Sequence, residues 1–276
     1  MKYKMLLLAT AMSAAASASQ GADVELWRLD CGSISVKDMA LFSDTFGYRN
    51  ESRTLTDSCY LIRHDTTYML WDTGLPAALL GAPQDANAPL APTLAKTLVD
   101  QLGEIAVKPE SISLVGISHN HFDHIGQAAH FAKAKMLIGK EDLEGLKAVQ
   151  PAFGVDASLV EPWLAGGSEV EPVTGDKDVF GDGSVTMLSM PGHTAGSYAL
   201  LVQLAEMGPV FLSGDVVHFE EQFANNGVPP FNDDRAETLA SMQRLQQAAE
   251  TLKATLVVQH DATDIAKLPA FPASAK

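Results

Sequence analysis

Positive charge is what this 276-residue chain has least of: 19 Lys and Arg stand against 34 Asp and Glu, a formal net charge of -15. That imbalance excludes the broad basic footprint that nucleic-acid phosphates or anionic lipid surfaces require. Nucleic acid is therefore not an expected partner. Cysteine is scarce as well. Cys31 and Cys59 are the only two, too few for a disulfide-stapled scaffold, and neither lies near a second Cys or a His at zinc-finger spacing. Charged residues amount to 19% and hydrophobic ones to 46%, so the composition of a disordered chain is missing too. No G-x-S-x-G elbow supplies a serine nucleophile, and no 20–50-residue repeat is visible.

Long apolar runs are absent except at the start. Lys2 and Lys4 precede an apolar stretch at 5–16, and Ala16-Ser17-Ala18 follows as a small-x-small cleavage site. This order reads as a secretory signal peptide over 1–18, with a buried N-terminal helix as the alternative. The stretch is too short and alanine-rich to span a bilayer comfortably. A single mature domain over 23–276 is then expected, exported to a periplasm or secreted, with no membrane attachment after cleavage. Export permits a disulfide between Cys31 and Cys59, while a free cysteine serves equally as a small buried hydrophobe; both remain open.

Short apolar runs bounded by turn signals predict strands at 24–29, 59–62, 67–71, 111–117, 135–138, 185–190, 210–212 and 255–259. Helices are expected at 89–102, 127–134 and 233–254. The last has Asp233 and Asp234 at its start and an apolar face of Leu239, Met242, Leu245, Ala249 and Leu252. The Pro- and Gly-containing stretch 151–167 also carries Phe153, Val155 and Trp163, which marks it as internal packing rather than a linker. Strands and helices interspersed in both halves give an α/β class with sheets packed between helices.

The chemistry concentrates in Ser118-His119-Asn120-His121-Phe122-Asp123-His124, straight after the strand at 111–117. Imidazole and carboxylate are ligands that suit zinc and similar divalent ions. Alternation sends His119 and His121 toward one metal, and the following turn can direct Asp123 and His124 toward a second. Further ligands stand at other strand ends: His193 in Pro191-Gly192-His193-Thr194, Asp215 in Ser213-Gly214-Asp215, and His260 in Gln259-His260-Asp261. Loops converging on one rim would bring them together.

This set resembles the metallo-β-lactamase superfamily, and Asp72-Thr73-Gly74 after an early strand fits the same pattern. The resemblance covers essentially the whole mature chain. It implies an αβ/βα four-layer sandwich with a dinuclear centre, zinc being the expected ion. By that resemblance His119, His121 and His193 bind one metal, Asp123, His124 and His260 the other, and Asp215 bridges. Asp72 would orient a ligand histidine. The layout Leu29-Asp30-Cys31-Gly32, Cys59-Tyr60-Leu61-Ile62, Trp71-Asp72-Thr73-Gly74-Leu75-Pro76 and Gln259-His260-Asp261 is similar to the N-acyl homoserine lactonases. Those enzymes carry a Tyr three residues after the bridging Asp, aimed at the substrate carbonyl. Here that position is His218, which can donate a hydrogen bond in its place or lie as a solvent-facing loop residue.

The resemblance implies opening of a lactone ring, an N-acyl homoserine lactone foremost, by a metal-bridging hydroxide. His218 would assist at the carbonyl, and Asp123 would help protonate the leaving alkoxide. Contacts for an acyl chain are expected from Met39-Ala40-Leu41-Phe42, Phe46, Phe219, Phe223 and Phe231, unless these are core. An exported class B3-like β-lactamase is the nearest rival, although that class has Ser where Asp215 falls. Glyoxalase II and RNA-processing relatives want basic residues that are missing, and flavodiiron relatives want Glu where His121 stands. A non-catalytic metal-binding protein is the alternative of another class. Oligomeric state is not legible in the sequence; related lactonases are often homodimers.

Overall fold

A computed structural model describes residues 21–85 and 88–276; the expected signal peptide lies outside the described residues. The first sheet comprises β1 (Val24–Val36), β2 (Arg53–His64), β3 (Thr67–Trp71), β4 (Leu90–Thr93), β5 (Ile112–Gly116), β6 (Lys135–Gly139) and β7 (Val170–Val173), in the order β4-β1-β2-β3-β5-β6-β7. The second comprises β8 (Lys177–Asp178), β9 (Val185–Ser189), β10 (Tyr198–Leu204), β11 (Gly208–Leu212) and β12 (Thr255–Val257), in the order β12-β11-β10-β9-β8.

The two-residue period of a strand explains how these sheets become four layers. In β2 and β3, Tyr60, Ile62, Met69 and Trp71 face the second sheet, meeting Met187, Leu200, Val202 and Leu212. The intervening Leu61 and Leu70 face the other way. They pack with Trp27 and Val115 under α1 (Leu98–Glu104), α3 (Lys140–Leu146) and α4 (Glu161–Leu164). On β10, Ala199 and Leu201 turn outward toward α6 (Arg235–Leu252), whose Met242, Leu245 and Ala249 are buried. The result is the expected αβ/βα sandwich.

Several expected elements shift. Residues 89–102 are not one helix: Pro92 sits in edge strand β4 opposite Ile34, where a missing N–H is tolerated. The helix α1 begins only after Thr97, which forms a capping box with Asp100. The helix expected at 127–134 reduces to a 3-10 turn, Ala128–Phe131. Strands β1 and β2 run well beyond the expected 24–29 and 59–62 because they pair with each other along their length. Strand β10 was not foreseen. In α6, Asp234 is the N-cap, and Leu252 ends 43% exposed rather than in the apolar face. Within 151–167, Trp163 is buried and donates Nε1–H to Ala134 O at 3.1 Å, as internal packing requires, whereas Phe153 is 63% exposed and departs from that expectation.

Cys31 and Cys59 form a disulfide between β1 and β2, which settles the pairing left open. It lies at the bulge between Asp30 and Gly32. Directly above is Gly74, at φ +63°, where a Cβ would come 2.4 Å from Cys31 Cβ. The cross-link thus backs the turn that leads out of β3.

Candidate metal centre

Every chemically active segment leaves a strand at the same rim. His119 and His121 follow β5, and Asp123 and His124 ride the single turn α2 (Phe122–Ile125). His193 lies in the turn after β9, Asp215 in the 3-10 turn Gly214–Val216 after β11, and His260 after β12. Strands β3, β5 and β6 are parallel, as are β11 and β12, which is why their ends share an edge.

Three imidazole nitrogens converge first. His119 Nε2 and His121 Nδ1 are 3.0 Å apart, and His193 Nε2 is 3.1 and 3.0 Å from them. Nitrogens held at a metal–ligand distance of about 2.0–2.1 Å in a tetrahedral site stand about 3.3 Å apart, so this triangle is close to one face of such a site. The second group is Asp123, His124 and His260, whose ligand atoms also lie within 4.8 Å of one another. Asp215 reaches both groups: Oδ2 is 3.4 Å from His193 Nε2, while Oδ1 is 3.4 Å from His124 Nε2 and 3.1 Å from His260 Nε2. Oδ2 also lies 3.3 Å from His260 Nε2, so the carboxylate stands between the two groups, as a bridging ligand would.

The donor set fits two divalent ions on independent grounds. His124 Nε2 and Asp215 Oδ1 are buried without a hydrogen-bond partner, which is costly unless something else occupies them. The outward nitrogens, by contrast, are tied down. His124 Nδ1 meets Asp72 Oδ2 at 3.0 Å, His193 Nδ1 meets Asn232 Oδ1 at 3.0 Å, and His260 Nδ1 donates to Thr56 O at 2.7 Å. Each partner turns the ring so that Nε2 points inward. Asp72 also accepts Ser118 N–H at 2.7 Å, and holds φ at +59°, an uncommon conformation for a residue with a Cβ.

A metallo-β-lactamase superfamily model matches residues 54–260, which includes all seven of these candidate ligands. The chain belongs to the metallo-β-lactamase superfamily. Among relatives, it is 29% identical over 178 residues to N-acyl homoserine lactonase AttM of Rhizobium radiobacter, covering 59% of this chain and 63% of that one. The chain therefore matches somewhat less than two thirds of that relative's length. It is 27% identical over 221 residues to an N-acyl homoserine lactonase from Bacillus sp, covering 78% and 84%. A solved N-acyl homoserine lactone hydrolase with N-hexanoyl-L-homoserine bound at its catalytic metal centre superposes with a TM-score of 0.79 at 21% identity, covering 92% of this chain and 100% of that chain. AidC, a dizinc quorum-quenching lactonase, gives 0.63 at 18% identity, covering 87% and 88%.

Electrostatics divide this superfamily member's histidines into two kinds. Burial holds His119 and His193 well below the usual imidazole value and lowers His121 too, leaving neutral lone pairs. Burial also opposes charge on His124, but Asp215, Asp72 and Asp123 override it and hold that ring well above its usual value. At His260 burial is again outweighed by Asp215, which brings the ring to about 9. Asp215 itself is buried, yet His260, His124, His218 and His119 keep it well below the ordinary carboxylate range.

His218 lies in the centre rather than in a solvent-facing loop. Its Nε2 is 3.2 Å from Asp215 Oδ2, and its ring stacks on His260 at 5.7 Å and an interplanar angle of 15°. The aromatic residues expected around an acyl chain separate. Leu41, Phe42 and Phe231 line a cleft of about 190 Å3 above the ligands, joined by Ile34, Leu55 and Phe122. Met39 and Phe219 are core behind it, and Phe223 packs against the α6 layer. Phe46 is exposed under Arg49.

Sequence reasoning missed the loop that frames this cleft. Phe122 N–H donates to Gly154 O at 2.8 Å, and Val155 pairs with His121 across an isolated bridge. Phe153 thereby reaches the mouth, 63% exposed and 5.7 Å from Phe231. Gly154, at φ +81°, lies so close that a Cβ would stand 2.9 Å from His121 Cδ2. Its Gly after an aromatic was the only available signal, and it does not name its partner.

Proposed function

We propose that the protein is an exported, dizinc hydrolase that opens the lactone ring of N-acyl homoserine lactones. The observation that carries this is the cleft: its floor is His121, Asp123, His193, Asp215, His218 and His260, and its walls are aliphatic and aromatic. Among the described residues, no Lys or Arg lines it. A neutral acyl lactone fits such a site, whereas a substrate anchored through its own carboxylate would find no Lys or Arg side chain among the described residues of the cleft. The names of the relatives point the same way, and the disulfide favours an oxidising compartment.

Two bound divalent ions would supply a water of lowered pKa and a Lewis acid for the carbonyl. The chain's own residues supply orientation. His218 Nε2 points into the centre, placed to donate to the carbonyl oxygen as charge develops there. Asp123, at the cleft floor and 4.0 Å from both His124 and His260, is placed to carry a proton to the departing alkoxide. The apolar walls keep the acyl chain dry and bulk water away.

The test is side-by-side turnover of acyl homoserine lactones of several chain lengths and a chromogenic cephalosporin, with metal content measured on the same preparation. Lactone opening that exceeds cephalosporin hydrolysis is expected. Cephalosporin turnover with inert lactones would sink the proposal in favour of a β-lactamase. Two metals per chain with no hydrolysis of either would indicate a binding protein.

A further inference from the structure

Beyond the ligands lies a buried carboxylate that the chemistry does not use. Asp142, on α3 and 2% exposed, has no cationic partner among the described residues. Instead its Oδ2 accepts Asn120 N–H at 3.0 Å and Thr194 Oγ1–H at 2.9 Å, and its Oδ1 accepts Gly196 N–H at 2.8 Å. The Asn120 side chain also donates to Asp142 O at 3.1 Å. Asn120 sits between His119 and His121, and Thr194 follows His193. One side chain therefore clasps both backbone segments that present the three nitrogens of the first group.

No comparable bond runs from Asp142 to the second group, whose rings are held by Asp72 and by Thr56 O. The clasp is also closely fitted. A Cβ at Gly196 would lie 2.6 Å from Asp142 Oδ1, and one at Gly139 would lie 2.1 Å from Gly196 O. Only glycine at both positions lets the His193 turn approach α3.

We infer that Asp142 is a positioning residue for one of the two metal positions, the one formed by His119, His121 and His193. This rests on the dinuclear proposal above. Partners of this kind typically change metal affinity about 10–100-fold. Asn cannot replace the carboxylate, because its NH2 would face at least one of three donors.

Cobalt(II) titration of the metal-free full chain at pH 8, followed by visible absorption and by bound-metal analysis, tests the inference. Asp142→Asn is expected to loosen one cobalt about 10-fold or more while the other stays within threefold. Thr194→Val, which removes one bond of the clasp, should loosen the same cobalt by less. Asp72→Asn should loosen the other. Equal loosening of both ions, or unchanged binding in variants whose circular dichroism is native, overturns the inference. The dinuclear proposal is judged on the wild type alone, where fewer than two equivalents would defeat it. In that event the clasp stands or falls on whether the single ion is loosened.

Discussion

Replacing both Cys31 and Cys59 by Ala isolates the contribution of a cross-link whose size can be worked from the chain itself. The bridge closes a loop with a sequence separation of 28 residues. Loop-closure entropy for that length gives about 3.6 kcal/mol of stability, acting through the unfolded state. Both sulfurs are fully buried, so their removal leaves space that costs roughly 1 kcal/mol more at about 24 cal/mol per Å3. The expected loss is thus about 4–5 kcal/mol in urea unfolding of metal-free protein, read through Trp27, Trp71 and Trp163. Because the unfolded chain expands without its cross-link, the slope against urea should rise as well. A second consequence is local. Leu75 N–H donates to Cys31 O, and Thr73 N–H donates to His124 O at 2.7 Å, so loosening this turn should weaken metal retention. A loss below 1 kcal/mol, or two titratable thiols in unfolded protein without reductant, would refute the reasoning.

His218→Ala should lower lactone kcat/KM about 100-fold, the range for losing one donor to a developing oxyanion, while metal analysis still finds two ions; unchanged turnover would remove the ring from the chemistry. Gly154→Ala places a Cβ at φ +81° and 2.9 Å from His121, so a stability loss of about 1–2 kcal/mol and weaker metal binding are expected by denaturation and metal titration. Burial pushes Asp142 up to about 7 against the pull of Thr194, Gly196 and Asn120. Its folded-state value is raised, so the native state keeps this proton longer than the unfolded chain, and its contribution falls as pH rises from about 4 to about 7. The difference between wild type and Asp142→Asn, measured on metal-free protein across that window, should change accordingly and flatten above it; a difference independent of pH would contradict this. Chelation should lower the melting temperature, and zinc in excess should restore it, since a ligand of the native state stabilises by mass action.

Much of the centre was legible because a short motif carries its own geometry. H-x-H-x-D-H after a β-branched strand places four candidate ligands without help from distant sequence, and each remaining candidate ends a strand. What holds those ligands was less visible. Asp72 entered only through the resemblance, and Asn232, Thr56 O and Asp142 carry no pattern of their own. Asn232 belongs to a run of Asn and Asp before α6 that reads as helix-start chemistry, and Asp142 to a short polar helix. Their roles depend on pairings 22 to 204 residues away. The fold shows the same division. Local period identified β3, β5 and α6, while β4 and the long reach of β1 and β2 arise from cross-strand pairing, which propensity does not encode.

The scarcity of positive charge acquires a physical meaning at this centre. Arginines such as Arg53, Arg63 and Arg244 are engaged in surface ion pairs, and no arginine among the described residues lines the cleft. Buried carboxylates therefore divide by their distance from imidazole. Asp57, fully buried, is pushed well above its ordinary value despite His124 and His260, and Asp142 rises with no cation beside it. Asp215, with five histidines within 4 Å, is held well below the ordinary carboxylate range. Leaving a carboxylate such as Asp215 buried without its counter-charge would cost several kcal/mol. Rings such as His124 and His260 supply that charge when they hold their protons, and divalent ions supply more when bound. An acidic chain whose described arginines keep clear of the cleft thus has an interior whose charge balance would improve with metal. Metal binding there would tie the retention of the ions to the stability of the fold itself.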